Sequence, residues 1–465
     1  MKKPLVSIIL TFIFFQFPSV IFSQQKYCIS DIYILNDGIT KKGIILRELP
    51  FKIGDSIDIH NIDNLLLLAK ENLLNLSLFN FVYCNYEYIE GCENGIVISI
   101  KTEERWYIWP MINVVLEDRN LSSWIDKGEM GRVTLDAGLR AYNLWGLNHT
   151  LTGSIKTGYQ RGFRFEYNNI YLDKKMKLLL NLGAYREYSR TENVRIEDNT
   201  PYYYKSDDFI VDKNLFNISL TYRPKIRISH SLKVEYDQTD IAKSILEENP
   251  DYWGGTDTLR RGISICYKYN SDQRDNNQYP LQGYLISCGL SCYTAFDDNF
   301  RYGQLSTTLQ YCYPICKRWF LSTTLSAALS AKNKNAYVFD RAIGYEMASI
   351  RGMELYVADG QHYVVLNPTI KYNIIPTKVV VLDWLSFLKK FYKIHFALYG
   401  KAFFDGGYSY NQYKTDHNGL SNKLLYSTGI GLDFVTYYDI NISIEYSFNM
   451  LNKGGFFFSF KGPLI

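Results

Sequence analysis

The sequence predicts a mainly β chain: a closed antiparallel transmembrane barrel of about sixteen strands, preceded by one small βααββ domain. Three observations carry this. From Trp106 onward, segments of roughly nine to thirteen residues alternate apolar and polar side chains, as strands do with lipid on one face and a polar lumen on the other. The connections between these segments alternate long and short, as loops and turns at the two ends of such a barrel do. Beyond the N-terminal apolar run no stretch is long enough for a spanning helix, so a membrane-embedded chain has to close its sheet on itself. The aromatic content agrees. There are 40 Tyr and 27 Phe, and tyrosine suits a surface that is apolar along the ring and wet at the tip.

In chain order, Lys2 and Lys3 precede an apolar run from Leu5 to Phe22, followed by Ser23-Gln24-Gln25. A basic start, an apolar core and a small residue before polar ones predict a secretory signal peptide over residues 1–23. The net charge of +4 falls to about +2 without the two leading lysines, so no nucleic acid partner is implied.

Residues 24–104 read as the small domain. Cys28–Leu35 alternates as a strand, and Ile39–Leu49 reads as a short helix ended by Pro50. Phe51–Asp55 is a turn. Ile62, Leu65, Leu66, Ala69, Leu73 and Leu76 recur at helical spacing, with Asp58 or Asn61 as the N-cap. Phe81–Tyr88 and Ile96–Thr102 form a hairpin around Glu90-Gly91 and Asn94-Gly95. Such a sheet leaves an edge that can accept an extended peptide by backbone pairing.

Residues 105–465 read as the barrel. Strands are expected to begin near Trp106, Met130, His149, Gly162, Met176, Asp207, Ile226, Thr258, Leu281, Arg301, Arg318, His362, Lys393, Leu424, Tyr438 and Gly455. In the segment Tyr438–Phe448, Ile440, Ile442, Ile444 and Tyr446 point one way, while Asn441, Ser443 and Glu445 point the other. Long connections fall at 116–129, 188–206, 239–257 and 332–361. Pro376–Tyr392 is a longer connection on the short-turn side, with an amphipathic run, Trp384–Phe391, suited to the interface. Pro110 and Pro463 cannot donate ladder hydrogen bonds, so pairing between the first and last strands is expected to be weak.

The connection before the twelfth strand holds Ile350-Arg351-Gly352 within a stretch too long for a hairpin; unstructured loops of that length usually carry function. Parity places Phe396, Leu398 and Phe404 toward lipid and His395, Tyr399, Lys401 and Asp405 toward the lumen. On the preceding strand Asn367, Thr369 and Lys371 face inward. The expectation is that the loop folds into the lumen, that Arg351 meets Asp405 in a bidentate pair, that Gly352 lets the backbone approach the wall, and that Lys371 lies close enough to compete for the carboxylate.

The N-terminal segment resembles a POTRA (polypeptide-transport-associated) domain through Thr40-Lys41-Lys42, Leu46-Arg47-Glu48-Leu49, Phe51, Gly54-Asp55 and Leu78-Phe79-Asn80. With the barrel behind it, the chain resembles the BamA/TamA surface-antigen family. The Ile350-Arg351-Gly352 segment is similar to that family's Arg-Gly loop motif, although Met353 stands where an aromatic is usual. The stretch holding Arg274-Asp275, Pro280 and Gly283 is similar to its turn before the ninth strand. Phe403-Phe404-Asp405-Gly406-Gly407 and Phe456–Phe460 are similar to its thirteenth and closing strands. The resemblance implies an outer-membrane factor of a Gram-negative bacterium, with the POTRA-like domain in the periplasm, that assembles, inserts or translocates proteins. Its implied partners are outer-membrane lipid, unfolded client proteins, and periplasmic accessory proteins or chaperones. The alternative is a pore or structural barrel with a docking domain.

Enzyme signatures are missing: there is no Gly-x-Ser-x-Gly, His-Glu-x-x-His or phosphate-binding Walker loop. No cofactor or metal site is expected. Of the eight cysteines, Cys288 and Cys292 read as lipid-facing hydrophobes, and Cys84 and Cys92 flank a hairpin tip where a disulfide can form.

Overall fold

A computed structural model defines residues 26–90, 94–116, 133–345, 348–388, 390–413, 417–436, 438 and 440–461. The expected signal peptide, the connection at 116–129 beyond Leu116, the Cys84–Cys92 bridge and Pro463 lie outside the described residues.

The N-terminal domain runs β1 (Lys26–Asn36), α1 (Lys42–Arg47), β2 (Ser56–Asp58), α2 (Ile62–Leu74), β3 (Phe79–Tyr88) and β4 (Gly95–Glu104), with sheet order β2-β1-β4-β3. Ile62, Leu66, Ala69 and Leu73 form one stripe of α2 and bury it against Ile29, Ile98, Ile100 and Val82 of the sheet. Deleting a side chain such as Leu73 from this core costs roughly 2–5 kcal/mol. The Asp58 carboxylate accepts from the N–H of His60 and caps the turn that leads into α2. The first helix is shorter than Ile39–Leu49. The backbone N–H groups of Ile39 and Thr40 donate to Glu104 instead, at 3.0 and 2.6 Å, which holds the chain extended until Lys42. Strand β2 is too short to show a period, which is why the sequence reads it as part of a turn.

The barrel is a sixteen-stranded antiparallel sheet in unbroken sequential order, interrupted only by an inserted hairpin. Its strands are β5 (Ile108–Leu116), β6 (Val133–Leu144), β7 (His149–Gly158), β8 (Arg161–Tyr171), β9 (Leu178–Ser189), β12 (Val211–Lys225), β13 (Ile228–Ile241) and β14 (Leu259–Asp272). They continue with β15 (Gly283–Ala295), β16 (Arg301–Cys316), β17 (Trp319–Lys332), β18 (His362–Val381), β19 (Lys393–Tyr410), β20 (Leu424–Thr436), β21 (Ile440–Asn449) and β22 (Gly454–Lys461). Among the described residues β5 pairs only with β6 and β22 only with β21, so the ladder does not join the ends of the sheet. The outward face carries an apolar band that includes Ile112, Phe216, Leu290, Phe404 and Phe458, all exposed.

Two of the expected long loops have structure of their own. The 188–206 connection holds a hairpin, β10 (Thr191–Glu197) and β11 (Thr200–Lys205), turning at Asp198-Asn199, both at positive φ. The 239–257 connection holds a short helix, α3 (Lys243–Glu248). Val194 of the hairpin, Ile245 of α3 and Trp253 pack with Ile210, Val211 and Ile241 into one apolar cluster at the strand ends. Strand β18 is longer than expected and passes through Pro376; register slips between Asn373 and Lys378 absorb the missing donor. The remaining connection presents Trp384 and Phe387 at 73% and 75% exposure, as an interfacial segment would.

Candidate functional site

Strands β18 to β21 form a wall whose alternation turns Thr369, Lys371, Tyr399, Lys401, Asp405, Ser427, Asp433, Ser443 and Glu445 inward, where all are buried or half-buried. Two segments from opposite ends of the barrel meet this wall.

The first is the connection 333–361. It enters behind an apolar patch of Ile343, Ile350, Met353, Ala358, Val365 and Leu425. Arg351 then meets Asp405 three ways. Its backbone N–H and Nε donate to Oδ2 at 3.0 and 2.9 Å, and Nη2 donates to Oδ1 at 2.6 Å. Nη2 also donates to the Thr369 hydroxyl at 2.8 Å, and the guanidinium lies 3.8 Å over the Phe403 ring. Asp405 is fully buried. Gly352 has φ +82, and a Cβ there would come within 2.5 Å of Ser447 Oγ. Its carbonyl accepts from Asn449 Nδ2 at 2.6 Å, and Ser427 Oγ donates to the Arg351 carbonyl. The chain is thus stitched to β19, β20 and β21 within two residues.

The second segment is the turn 273–282 between β14 and β15. Arg274 forks onto Asp272 at 2.6 and 2.7 Å and reaches Gln310 at 2.7 Å. Asp275 Oδ1 accepts from the N–H groups of Leu281 and Gln282, folding the turn back on itself. Gly283 re-enters the strand at φ +97 against the Gln273 carbonyl. This fold drives Tyr279 across the lumen. Its ring packs 4.9 Å from that of Tyr399, and its hydroxyl donates to Asp433 at 2.9 Å. Lys371 belongs to this second contact. Its ammonium sits 4.0 Å over the Tyr279 ring and 3.4 Å from the Pro280 carbonyl, so it does not compete for Asp405. The expectation failed because parity fixes which face a side chain takes but not which segment comes to meet it. Beside Lys371, Lys401 pairs with both Asp433, at 2.5 Å, and Glu445. A cavity of about 610 Å³ lies between these groups and Phe457 and Lys461 of the closing strand.

Sequence reasoning gave no part in the site to Tyr279, Asp433 or Phe403, and it turned Thr369 inward without a partner. The inward parity of Asp433 and Thr369 was legible; the crossing of Tyr279 was not.

The N-terminal domain docks on the turns at the same end as 273–282. Glu48, almost fully buried, takes two bonds from Arg223 at 3.1 Å each. Arg227 donates to Asn72 at 2.7 Å, to Glu71 at 2.9 Å and to the Arg274 carbonyl. Burial raises the Glu71 carboxyl against the opposing pull of Arg227. Asn75 bonds the backbone of Asp275 and Asn277, and Lys393 pairs with Glu103 at 3.1 Å. At the β1 edge of the sheet, β2 covers β1 from Lys26 to Cys28 and the chain before β2 pairs with Ile29 through Gly54 and Asp55; among the described residues no strand covers β1 beyond that point.

An Omp85 superfamily domain is matched over residues 143–453. No curated protein matches the chain. Among solved structures, BamA from Haemophilus ducreyi lacking POTRA domains 1–3 is similar at 13% identity and a TM-score of 0.51, over 93% of this chain and 84% of that one. CdiB from Escherichia coli is similar at 12% identity and a TM-score of 0.52, over 94% and 76%. At these identities the likeness is one of fold.

Proposed function

The chain belongs to the Omp85 superfamily, and from that membership we propose that it is an outer-membrane factor that inserts proteins into the membrane or passes them across it. The observation that carries the reading is that, among the described residues, the ladder between β5 and β22 is not joined. A sheet whose first and last strands hold no partner on one side offers an incoming strand a backbone template within the membrane, where unpaired N–H and C=O groups are costly.

In this reading the N-terminal domain is a periplasmic POTRA domain. Its open β1 edge receives extended clients, and its ion pairs to the barrel turns set where clients arrive. Arg351, Gly352 and Asp405 form a latch that holds the loop in the lumen and stiffens the wall of β18–β21, so that strand exchange is confined to the seam. Arg274, Asp275, Pro280 and Gly283 shape the turn that braces the same wall from the periplasmic side. The partners are outer-membrane lipid, unfolded clients, and accessory proteins or chaperones at the domain. Two segments crossing the lumen argue against a freely conducting pore.

Depletion followed by quantitative proteomics of the outer membrane and the medium tests this. Loss of one or more barrels or secreted proteins is expected. An unchanged proteome with altered small-solute permeability would favour the pore.

A further inference from the structure

At the end of the barrel opposite the N-terminal domain, four segments converge: the β10–β11 hairpin, the residues that follow α3, residues 335–340 with Asp359, and residues 411–413 with 417–418. Between them lies a cavity of about 210 Å³, several times the roughly 30 Å³ of one water. Asn418 lines it. This residue is 2% exposed, yet neither its side-chain oxygen nor its nitrogen has a hydrogen-bond partner. Buried amides are almost always paired, so an amide with both functions unspent marks a place for something else.

The lining narrows what that is. Asp340 is occupied by Lys332 and Gln361, at 2.6 and 2.8 Å, and Asp359 accepts from Tyr345 at 2.7 Å. Asp251 accepts from Asn335 at 2.9 Å. These carboxylates along the wall repel an anion, and Arg195, the guanidinium in the lining, is taken up by Glu197 and Glu248. Among the described residues no group of three or more His, Cys, Asp or Glu is arranged for a metal. A wholly apolar guest would leave the buried Asn418 amide unpaired. Tyr413, half turned to solvent, has the Lys332 ammonium 4.9 Å over one face of its ring and adds the other face at the rim.

We propose that this cavity binds a neutral sugar: the Asn418 amide would take one hydroxyl as donor and its neighbour as acceptor, while the Tyr413 ring packs against the C–H face of the pyranose. A vicinal diol offers a donor and an acceptor side by side, which is what a primary amide complements. The site is independent of the assembly function proposed above and stands or falls separately.

The test uses the full chain in lauryldimethylamine oxide, because glucoside and maltoside detergents carry the ligand class themselves. Methyl α-glucopyranoside, methyl α-galactopyranoside, methyl α-mannopyranoside and N-acetylglucosamine are titrated one at a time, with saturation-transfer difference NMR as readout. At least one should bind saturably. Asn418→Leu should weaken it by about tenfold or more, as loss of two neutral hydrogen bonds implies. Heat modifiability on gels checks that this variant is folded, and Tyr413→Ala, which leaves the amide intact, should also weaken binding. Failure of all four sugars to bind would mean that the cavity holds water only, and unaltered binding by Asn418→Leu would place the sugar elsewhere; either result overturns the proposal.

Discussion

Arg351 holds Asp405 with three donors, its backbone N–H, Nε and Nη2, at 3.0, 2.9 and 2.6 Å. The carboxylate is fully buried, while the guanidinium keeps 22% of its surface. Removing one partner of such a pair costs roughly 3–5 kcal/mol, because the other charge is left without compensation. Arg351→Ala is therefore expected to lower the temperature at which the folded barrel unfolds on gels and to open the 333–361 loop to protease added from outside. Arg351→Lys should recover only part of this, since an ammonium cannot form the planar fork or keep the Thr369 bond with it.

Lys401 is shared by two carboxylates, Asp433 and Glu445. Lys401→Met should destabilise the barrel by a similar roughly 3–5 kcal/mol, since it strands two acids at once. Adding Glu445→Gln should recover a large part of the loss. Melting temperatures of the single and double variants check this; no recovery would show that the two acids do not act through Lys401.

The domain–barrel contact yields a charge-swap experiment. Glu48 and Arg223 share two bonds, with Arg47 also on Glu48. Arg223→Glu should weaken docking by roughly 2–5 kcal/mol. Combining it with Glu48→Arg should restore part of it. Spin-label distances between α2 and the barrel turns report the result: a broadened distribution for the single variant and a narrower one for the pair.

A pH dependence is built into the loop 333–361. Asp359 lies outside the strands, and its carboxyl is pushed up to about 7, first by burial and further by Asp340, against the Tyr345 hydrogen bond and the charges of Arg341 and Lys332. In the unfolded chain an aspartate titrates near about 4. Between about pH 4 and 7 the folded loop binds a proton that the unfolded loop does not, so stability falls as pH rises through that window. Protection of the amides over residues 340–360, corrected for the intrinsic exchange rate at each pH, should be greater near pH 5 than near pH 8, and Asp359→Asn should remove the difference. Equal protection at both values would contradict this.

How much was legible in the sequence follows from what periodicity encodes. Alternation placed Phe404 outward and Asp405 and Thr369 inward because a strand has only two faces, and the sixteen strands followed from repeating that reading. The same reasoning could not separate Lys371 from Asp405, because their partners arrive from different loops. It also missed structure inside loops. The β10–β11 turn uses Asp198-Asn199, a weaker signal than Asn-Gly, and α3 is only six residues long. The start of α1 was misjudged because Glu104, some sixty residues away, holds Ile39 and Thr40 extended.

In the proposed function, clients use the seam between β5 and β22. The direct measurement is client insertion or export by a cysteine-free background carrying one engineered cysteine on each of these strands, assayed before and after reduction. With the cross-strand disulfide formed to completion, activity should be lost, and reductant should restore it. Full activity while the bond remains intact would contradict the account.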